Sequence, residues 1–362
     1  MNSRLKSIKI PIANSQEYVE IFPDELPEDV NDVLDVLKAE LAPLKIWRAV
    51  AVEYYRQGEY KNFEAVLSEI VSTMHDDPTV EQYYREKGEY KEGIVEIFDA
   101  LAAYALDRSV KSIGETEKKR EVANYIQKAE SINQRNEYTW LIKGFFELAF
   151  GNIDNAEYSL KNVYERATAK STVQRSDKNL SSSQLDKKVF LFASLLGLGT
   201  LAFIRKKYST ALDYFSKALH QNSKCGANVR VAIASCTFKL EQYDRTRLAL
   251  DRALALDPTN VDALVLLSLV ERVESQKTDK KKRHEYRALA NELCTLAAHI
   301  DPTCAMALNH LANYSFYQWQ LVHPSGYISS PTLIVLNSTK SHPINNLTLK
   351  EGDMIQIQKA FV

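Results

Sequence analysis

Apolar residues recur every three to four positions through most of this chain, and the recurrence breaks off at related places. "DRALALDPTN" (251–260) runs an apolar helical face into Asp-Pro, and "LAAHIDPTCA" (296–305) does the same. Proline disfavours helical geometry at the residue before it and cannot extend the helix behind it. Each Asp-Pro therefore reads as a helix stop, and two stops with matching apolar approaches point to an internal repeat. Long 3.6-residue periods, with eleven glycines and ten prolines in 362 residues, predict an all-α fold.

The repeat shows its grammar in "ASLLGLGTLAFIRKKYSTALDYFSKALHQNSK". Leu198 and Gly199 fall on a first helix and Ala211, Phe215 and Ala218 on a second, at offsets of 13, 17 and 20 from Leu198. Small residues let the paired helices approach and large ones fill the remaining groove, which is the signature of a tetratricopeptide repeat. A step of 35 residues carries Ala218 to Ala253 and Ser223 to Pro258, so "ANVRVAIASCTFKLEQYDRTRLALDRALALDP" is a second copy. The next unit closes at Pro302, 44 residues after Pro258, where about 34 are usual. The surplus, 275–287, reads as an extended inter-helix loop or an extra solvated turn.

Upstream, Trp140 and Gly144 on one helix face Ala156 and Leu160 on the next, and Trp47, Ala51 and Tyr54 open an earlier unit. A degenerate pair over 93–132 lies between them. The Ser-rich stretch 168–188 reads as an insertion. Residues 44–317 are expected to form about six units of one right-handed superhelical solenoid of antiparallel helix pairs. Residues 1–43 form an extended lead and first helix, and 318–362 an irregular tail after a half-repeat. Either that tail covers the open face, or the chain is a truncated or aberrantly ended form; the second is favoured.

Residues 189–204 carry no charge, yet sixteen residues fall short of the roughly twenty of a membrane span. Their repeat signature assigns them to a buried helix. A net charge of −1, with 45% hydrophobic and 26% charged residues, offers no global field toward nucleic acid or membrane. The N-terminus lacks a secretory pattern, so a reducing intracellular setting is expected, with the sequons at Asn179, Asn313, Asn337 and Asn346 unmodified. Lys280-Lys281-Lys282-Arg283 could be a nuclear localisation signal or a nucleic-acid patch; a solvated basic loop is the preferred reading.

Chemistry is sparse. Cys225, Cys236, Cys294 and Cys304 form no CxxC pair and read as buried helical cysteines. No HExxH, phosphate-binding glycine loop or acid/base carboxylate pair stands out. No catalytic, cofactor or metal site, small-molecule substrate or membrane contact is expected, and the chain does not read as an enzyme.

A binding surface remains. In the repeat register the first helices line a concave groove. Arg48, Val52 and Tyr55 would contribute from one unit, and Leu141, Phe145 and Leu148 from another. Leu196, Thr200 and Phe203, then Val231, Ser235 and Phe238, would follow. Each could equally pack against a neighbouring helix. The Lys and Asn donors with which tetratricopeptide co-chaperones clamp a carboxylate are replaced here by Leu196, Thr200, Val231 and Ser235, which suits an apolar, helix-like ligand.

"IPIANSQEYVEIFPDELPEDVNDVLDVLKAELAPLKIWRAVAVEYYRQGEYKNFEAVL" (10–67) resembles the N-terminus of the tetratricopeptide scaffold subunit of the RNA polymerase II-associated factor (Paf) complex. That family opens with a short "IP" strand, an acidic lead ending in "LP", then "W..A.EYY.QG". "KCGANVRVAIASCTFKLEQYDRTRLALDRALALDPTNVDALVLLSLVE" and "IDPTCAMALNHLANYSF" follow in the family's order. The resemblance covers residues 8 to about 317, the first third or so of the family's length, with "TKSH" (339–342) a remnant of a related repeat. It implies a nuclear, non-enzymatic scaffold whose N-terminal repeats hold the complex's namesake subunit. The implied complex meets RNA polymerase II indirectly and supports elongation, histone ubiquitylation and histone methylation. No sequence-specific nucleic-acid binding is implied. The alternative reading is a generic tetratricopeptide adaptor or co-chaperone that binds a peptide or helix in its concave groove.

Overall fold

The structure, a computed structural model, describes residues 7–12, 17–111, 116–169 and 182–322. The sequons at Asn179, Asn337 and Asn346, the middle of the Ser-rich stretch, the tail beyond 322 and its "TKSH" lie outside them. The chain divides into two compact units, Met1–Ala169 and Lys170–Val362.

The first unit opens with an antiparallel hairpin of β1 (Ile8–Pro11) and β2 (Tyr18–Ile21), in which Ile10 stands opposite Val19. A 3-10 turn at Pro23–Glu25 leads to α1 (Val30–Ala39). Helix pairs follow: α2 (Leu44–Arg56) with α3 (Tyr60–Asp76), α5 (Tyr90–Lys111) with α6 (Thr116–Ile132), and α7 (Glu137–Ala149) with α8 (Ile153–Ala169). The short α4 (Pro78–Glu86) sits between the first two pairs. Ile10, Leu37, Trp47, Tyr54, Leu67 and Tyr84 are all buried in one core, which joins the hairpin, α1 and the first helix pair. Two buried phenols tie it down: Tyr54 donates to Pro27 O at 3.0 Å and Tyr84 to Ala42 O at 2.7 Å.

The second unit pairs α9 (Ser182–Ile204) with α10 (Tyr208–Gln221), α11 (Ala227–Lys239) with α12 (Tyr243–Leu256), and α13 (Val261–Lys277) with α14 (Lys280–Ile300). It ends on α15 (Ala305–Val322), which packs on α14. Lys187–Ile204 is the one window among the described residues long and apolar enough to cross a membrane. Phe190, Leu195, Leu198, Leu201 and Ala202 of this helix are buried within the protein.

One turn recurs between several successive helices. Gly58, Gly88, Gly151, Lys206 and Glu241 all have φ between 60° and 85°, and Leu41 before α2 has φ 43°. In each, the next residue's N–H reaches back five positions, as in Glu59 N to Tyr54 O at 2.9 Å and Lys207 N to Ala202 O at 2.9 Å. Such left-handed closure satisfies carbonyls that a helix end otherwise leaves open. Glycine adopts it without steric cost, whereas Leu41, Lys206 and Glu241 do not.

Within each pair, small residues set the approach. A Cβ added to Gly199 would stand 2.7 Å from the Phe215 ring, and one on Gly144 2.7 Å from Leu160 Cγ. Ala156, Ala211, Ala218 and Ala253 are fully buried. Trp140 departs from the expected packing role: it is half-exposed, with its indole N–H donating to Gln134 O at 2.7 Å. Pro258 and Pro302 are exposed, so they act through backbone restriction and not by filling space.

Asp-Pro-Thr occurs three times, at 77–79, 257–259 and 301–303, with one local geometry. Asp77, Asp257 and Asp301 are extended, with ψ of 96°, 91° and 96°, as the following proline requires. Each carboxylate accepts from the Thr two residues on, through backbone N–H at 2.9, 3.1 and 2.9 Å and hydroxyl at 2.6, 2.8 and 2.7 Å. Those bonds hold all three carboxyls below the usual range. The tripeptide at 77–79 ends α3 and at once opens α4, a helix the sequence reading missed.

The expected loop at 275–287 is a correction. Only Thr278 and Asp279 separate α13 from α14, so the surplus lengthens two helices. Residues 261–300 contain no glycine or proline, and Lys, Arg and Glu propagate a helix readily. Arg283 turns back to cap α13, donating to Ser275 O at 3.1 Å and Thr278 O at 3.3 Å. Cys236 and Cys294 are buried helical residues, but Cys225 and Cys304 occupy turns just ahead of helices.

Candidate interaction surfaces

In the first unit α2 presents Arg48, Val52 and Tyr55 along one side. The Arg48 guanidinium lies 3.3 Å from Glu96 of α5. Val52 is half-buried, whereas Tyr55 is 43% exposed, the most open of the expected lining residues on this helix. Its ring meets Tyr60 at 5.1 Å and Phe63 at 5.3 Å, both edge-on, and Tyr104 of α5 at 6.5 Å. Arg108 lies over the Tyr104 ring at 5.3 Å and holds Glu64 at 2.6 Å, closing one side of this aromatic shelf. On α7, Leu141 and Leu148 are buried and serve packing, while Phe145 is half-buried.

In the second unit Leu196 and Phe203 pack against the core around Ala211 and Phe215, and Val231 and Phe238 against that around Ala234 and Leu250. All four remain half-exposed. The Thr200 and Ser235 hydroxyls are spent on their own helices, donating to Leu196 O at 3.0 Å and Val231 O at 2.9 Å. This leaves an apolar, aromatic surface with little free hydrogen-bonding capacity.

A relationship absent from the sequence reading links these surfaces to the turns. Tyr60, Tyr208 and Tyr243 each open a second helix, and each ring meets the aromatic residue five positions earlier. The pairs are Tyr55–Tyr60, Phe203–Tyr208 at 5.2 Å and Phe238–Tyr243 at 5.7 Å, all edge-on. At the head of α5, Arg85 takes the aromatic's place, 4.1 Å over Tyr90. A tyrosine two residues after the turn, at four of the five turns and replaced by Ile153 after Gly151, is a legible signal.

Reactive chemistry is held down by burial. Burial pushes the Cys236 thiol up to about 12 and raises that of Cys294, whose S–H donates to Ser268 Oγ at 3.1 Å. Burial lowers the pKa of His310, whose Nδ1 has no hydrogen-bond partner among the described residues. Burial also lifts Asp99 to about 7, against the hydrogen bond from Thr139. Among the described residues no three His, Cys, Asp or Glu side chains are grouped to hold a metal ion.

The chain is 33% identical to the CTR9 homolog of Arabidopsis thaliana over 357 residues, 98% of this chain and 30% of that protein. The chain is a relative of the CTR9 proteins. The RNA polymerase-associated protein CTR9 of Caenorhabditis elegans is 27% identical over 87% of the chain and 25% of its own length. The CTR9-related chain thus spans between a quarter and a third of these relatives. A match over 98% must include most residues after 317, which corrects the expectation that the family resemblance ends there. No family model matches. Among solved structures, a signal-transduction ATPase of Pyrococcus horikoshii with a tetratricopeptide-repeat sensor superposes with TM-score 0.53 at 14% identity, covering 94% of this chain and 46% of that one. The CTR9-related chain has the tetratricopeptide-repeat fold.

Proposed function

We propose that this chain is a nuclear protein–protein interaction scaffold without catalysis of its own, working in the Paf complex. Its first unit would hold the namesake subunit, and the complex would meet RNA polymerase II indirectly while supporting elongation and co-transcriptional histone ubiquitylation and methylation. The observation that carries this reading is the match to a CTR9 homolog along 98% of the chain. The half-open apolar lining of the first helices agrees with it, because hydroxyls already bonded within their helices suit an apolar partner segment. The twelve lining positions divide under this proposal. Tyr55, Val52, Arg48, Phe145 and the half-exposed residues of α9 and α11 contact partners, and Leu141 and Leu148 support them from beneath.

The test is affinity purification from nuclear extract with the whole chain, followed by mass spectrometry at moderate salt. Paf-complex subunits are expected on the wild type and depleted on a Tyr55→Glu, Arg48→Ala variant of unchanged circular dichroism. Trp47 is unsuitable for this purpose because it is 1% exposed and its loss would unfold the unit. Recovery of chaperones alone, or of nothing specific, would refute the proposal.

A further inference from the structure

The hairpin in the first unit has two edges of different character. Ile12 N donates to Glu17 O at 3.1 Å, so the bonded pairs of this antiparallel ladder run on through Ile10–Val19 and Ile8–Ile21. Lys9 and Pro11 on β1, and Tyr18 and Glu20 on β2, therefore turn their backbone polar groups outward. On β1 that edge is blunted, because Pro11 has no N–H to offer and the strand packs against α2. On β2 the edge is open. Tyr18 and Glu20 have no backbone partner among the described residues, and Tyr18, Val19 and Phe22 are 50%, 37% and 45% exposed.

Charge specifies what can lie there. Between Ile10 and Leu37 the chain has eight carboxylates, at Glu17, Glu20, Asp24, Glu25, Glu28, Asp29, Asp32 and Asp35, and no Lys or Arg. Lys9, on the face shared by Tyr18 and Glu20, is already engaged with both, at 3.1 Å and 3.8 Å. A second copy of this acidic edge would bring like charges together, which opposes self-pairing. We infer that the free edge of β2 is a docking site for an extended, basic segment of a partner protein, which adds as a third strand. Its alternate side chains would be apolar over Val19 and Ile21 and basic over Tyr18 and Glu20.

The site is independent of the groove residues and of the identity of the complex, so it can be tested on the full chain alone. The chain is labelled with 15N at tyrosine and glutamate, and amide exchange is followed with a capped Lys-Val-Lys-Val-Lys-Val-Lys peptide at millimolar concentration. The Tyr18 and Glu20 amides are expected to slow at least about tenfold, while a Glu-Val-Glu-Val-Glu-Val-Glu peptide leaves them unchanged. Tyr18→Pro should abolish the protection at Glu20, and Tyr18→Phe should keep it, with Ile10–Val19 cross-strand contacts confirming that the hairpin persists. No slowing with the Lys-Val peptide, or equal slowing with both, overturns the inference. Protection that rises with chain concentration in the absence of peptide also overturns it, and assigns the edge to a second copy.

Discussion

The Thr139 hydroxyl donates to both oxygens of Asp99, at 2.8 and 3.1 Å, joining α7 to α5 inside the first unit. Both residues are buried, and desolvation, with the nearby Glu96 carboxylate adding to it, outweighs the Thr139 hydrogen bond and lifts the Asp99 carboxyl to about 7. The folded state thus keeps a proton that the unfolded chain releases near pH 4. Between those limits the folded state binds more protons, and stability must fall as pH rises. From pH 5 to pH 8 the unfolding free energy of the first unit should drop by on the order of a few kcal/mol from this group, read as a lower urea midpoint. Asp99→Asn should flatten that slope and be the more stable form at pH 8. An unchanged slope would place the proton elsewhere.

Gly199 and Phe215 test the close approach of paired helices. With 2.7 Å between a new Cβ and the ring, Gly199→Ala must displace the ring or the helix. A loss of about 1–3 kcal/mol is expected, read as a lower urea midpoint. Phe215→Leu in the same chain should recover part of it, since the shorter side chain leaves room. The same change at exposed Gly226, where nothing lies within 4 Å, should be nearly silent.

The five inter-helix turns offer a comparison within one molecule. Lys206 and Glu241, each with φ 60°, occupy the position that Gly58, Gly88 and Gly151 fill elsewhere. Lys206→Gly and Glu241→Gly should be neutral or stabilising by up to about 1 kcal/mol, because relief of left-handed strain outweighs the extra chain entropy. Gly58→Ala should cost about 1 kcal/mol although nothing crowds its Cβ. Thermal melts of the three single variants check the opposite signs.

How far the sequence discloses this molecule depends on the length of each signal. The pair α9/α10 was legible from Leu198, Gly199, Ala211, Phe215 and Ala218, because a glycine facing an aromatic at a fixed offset has one packing solution. Asp-Pro marks a helix stop in the sequence but equally opens the next helix, as at 77–79, where the same Asp–Thr bonds start α4. A repeat length of about 34 predicts a loop at 275–287, whereas the unbroken helical composition of 261–300 extends both helices through it. Four-residue strands are too short to show alternation, so the family resemblance implies only a short strand at "IP", and β2 and its pairing with β1 come from the structure alone. Periodicity also names the helix face that turns toward a neighbour without saying how far that neighbour covers it. Tyr55 and Leu148 share one register, yet the first is open and the second buried.

Arg247 and Glu271 supply the test of the second unit. Nε and Nη2 of Arg247 on α12 both donate to one oxygen of Glu271 on α13, at 3.1 and 2.8 Å, and the Glu271 side chain is only 4% exposed. A buried ion pair gains little over an apolar pair of similar volume, because desolvation offsets the attraction. Removing one partner is different, since the remaining charge stays buried without compensation. Arg247→Met should therefore cost about 2–4 kcal/mol, with the arginine's own one-third exposure keeping the loss below that of a fully enclosed pair. Arg247→Met combined with Glu271→Leu should recover most of the loss, and a double-mutant cycle in urea measures the difference. If the double variant is as unstable as the single one, the pair's contribution is packing of the arginine stem across α12 and α13, and the carboxylate is satisfied without it.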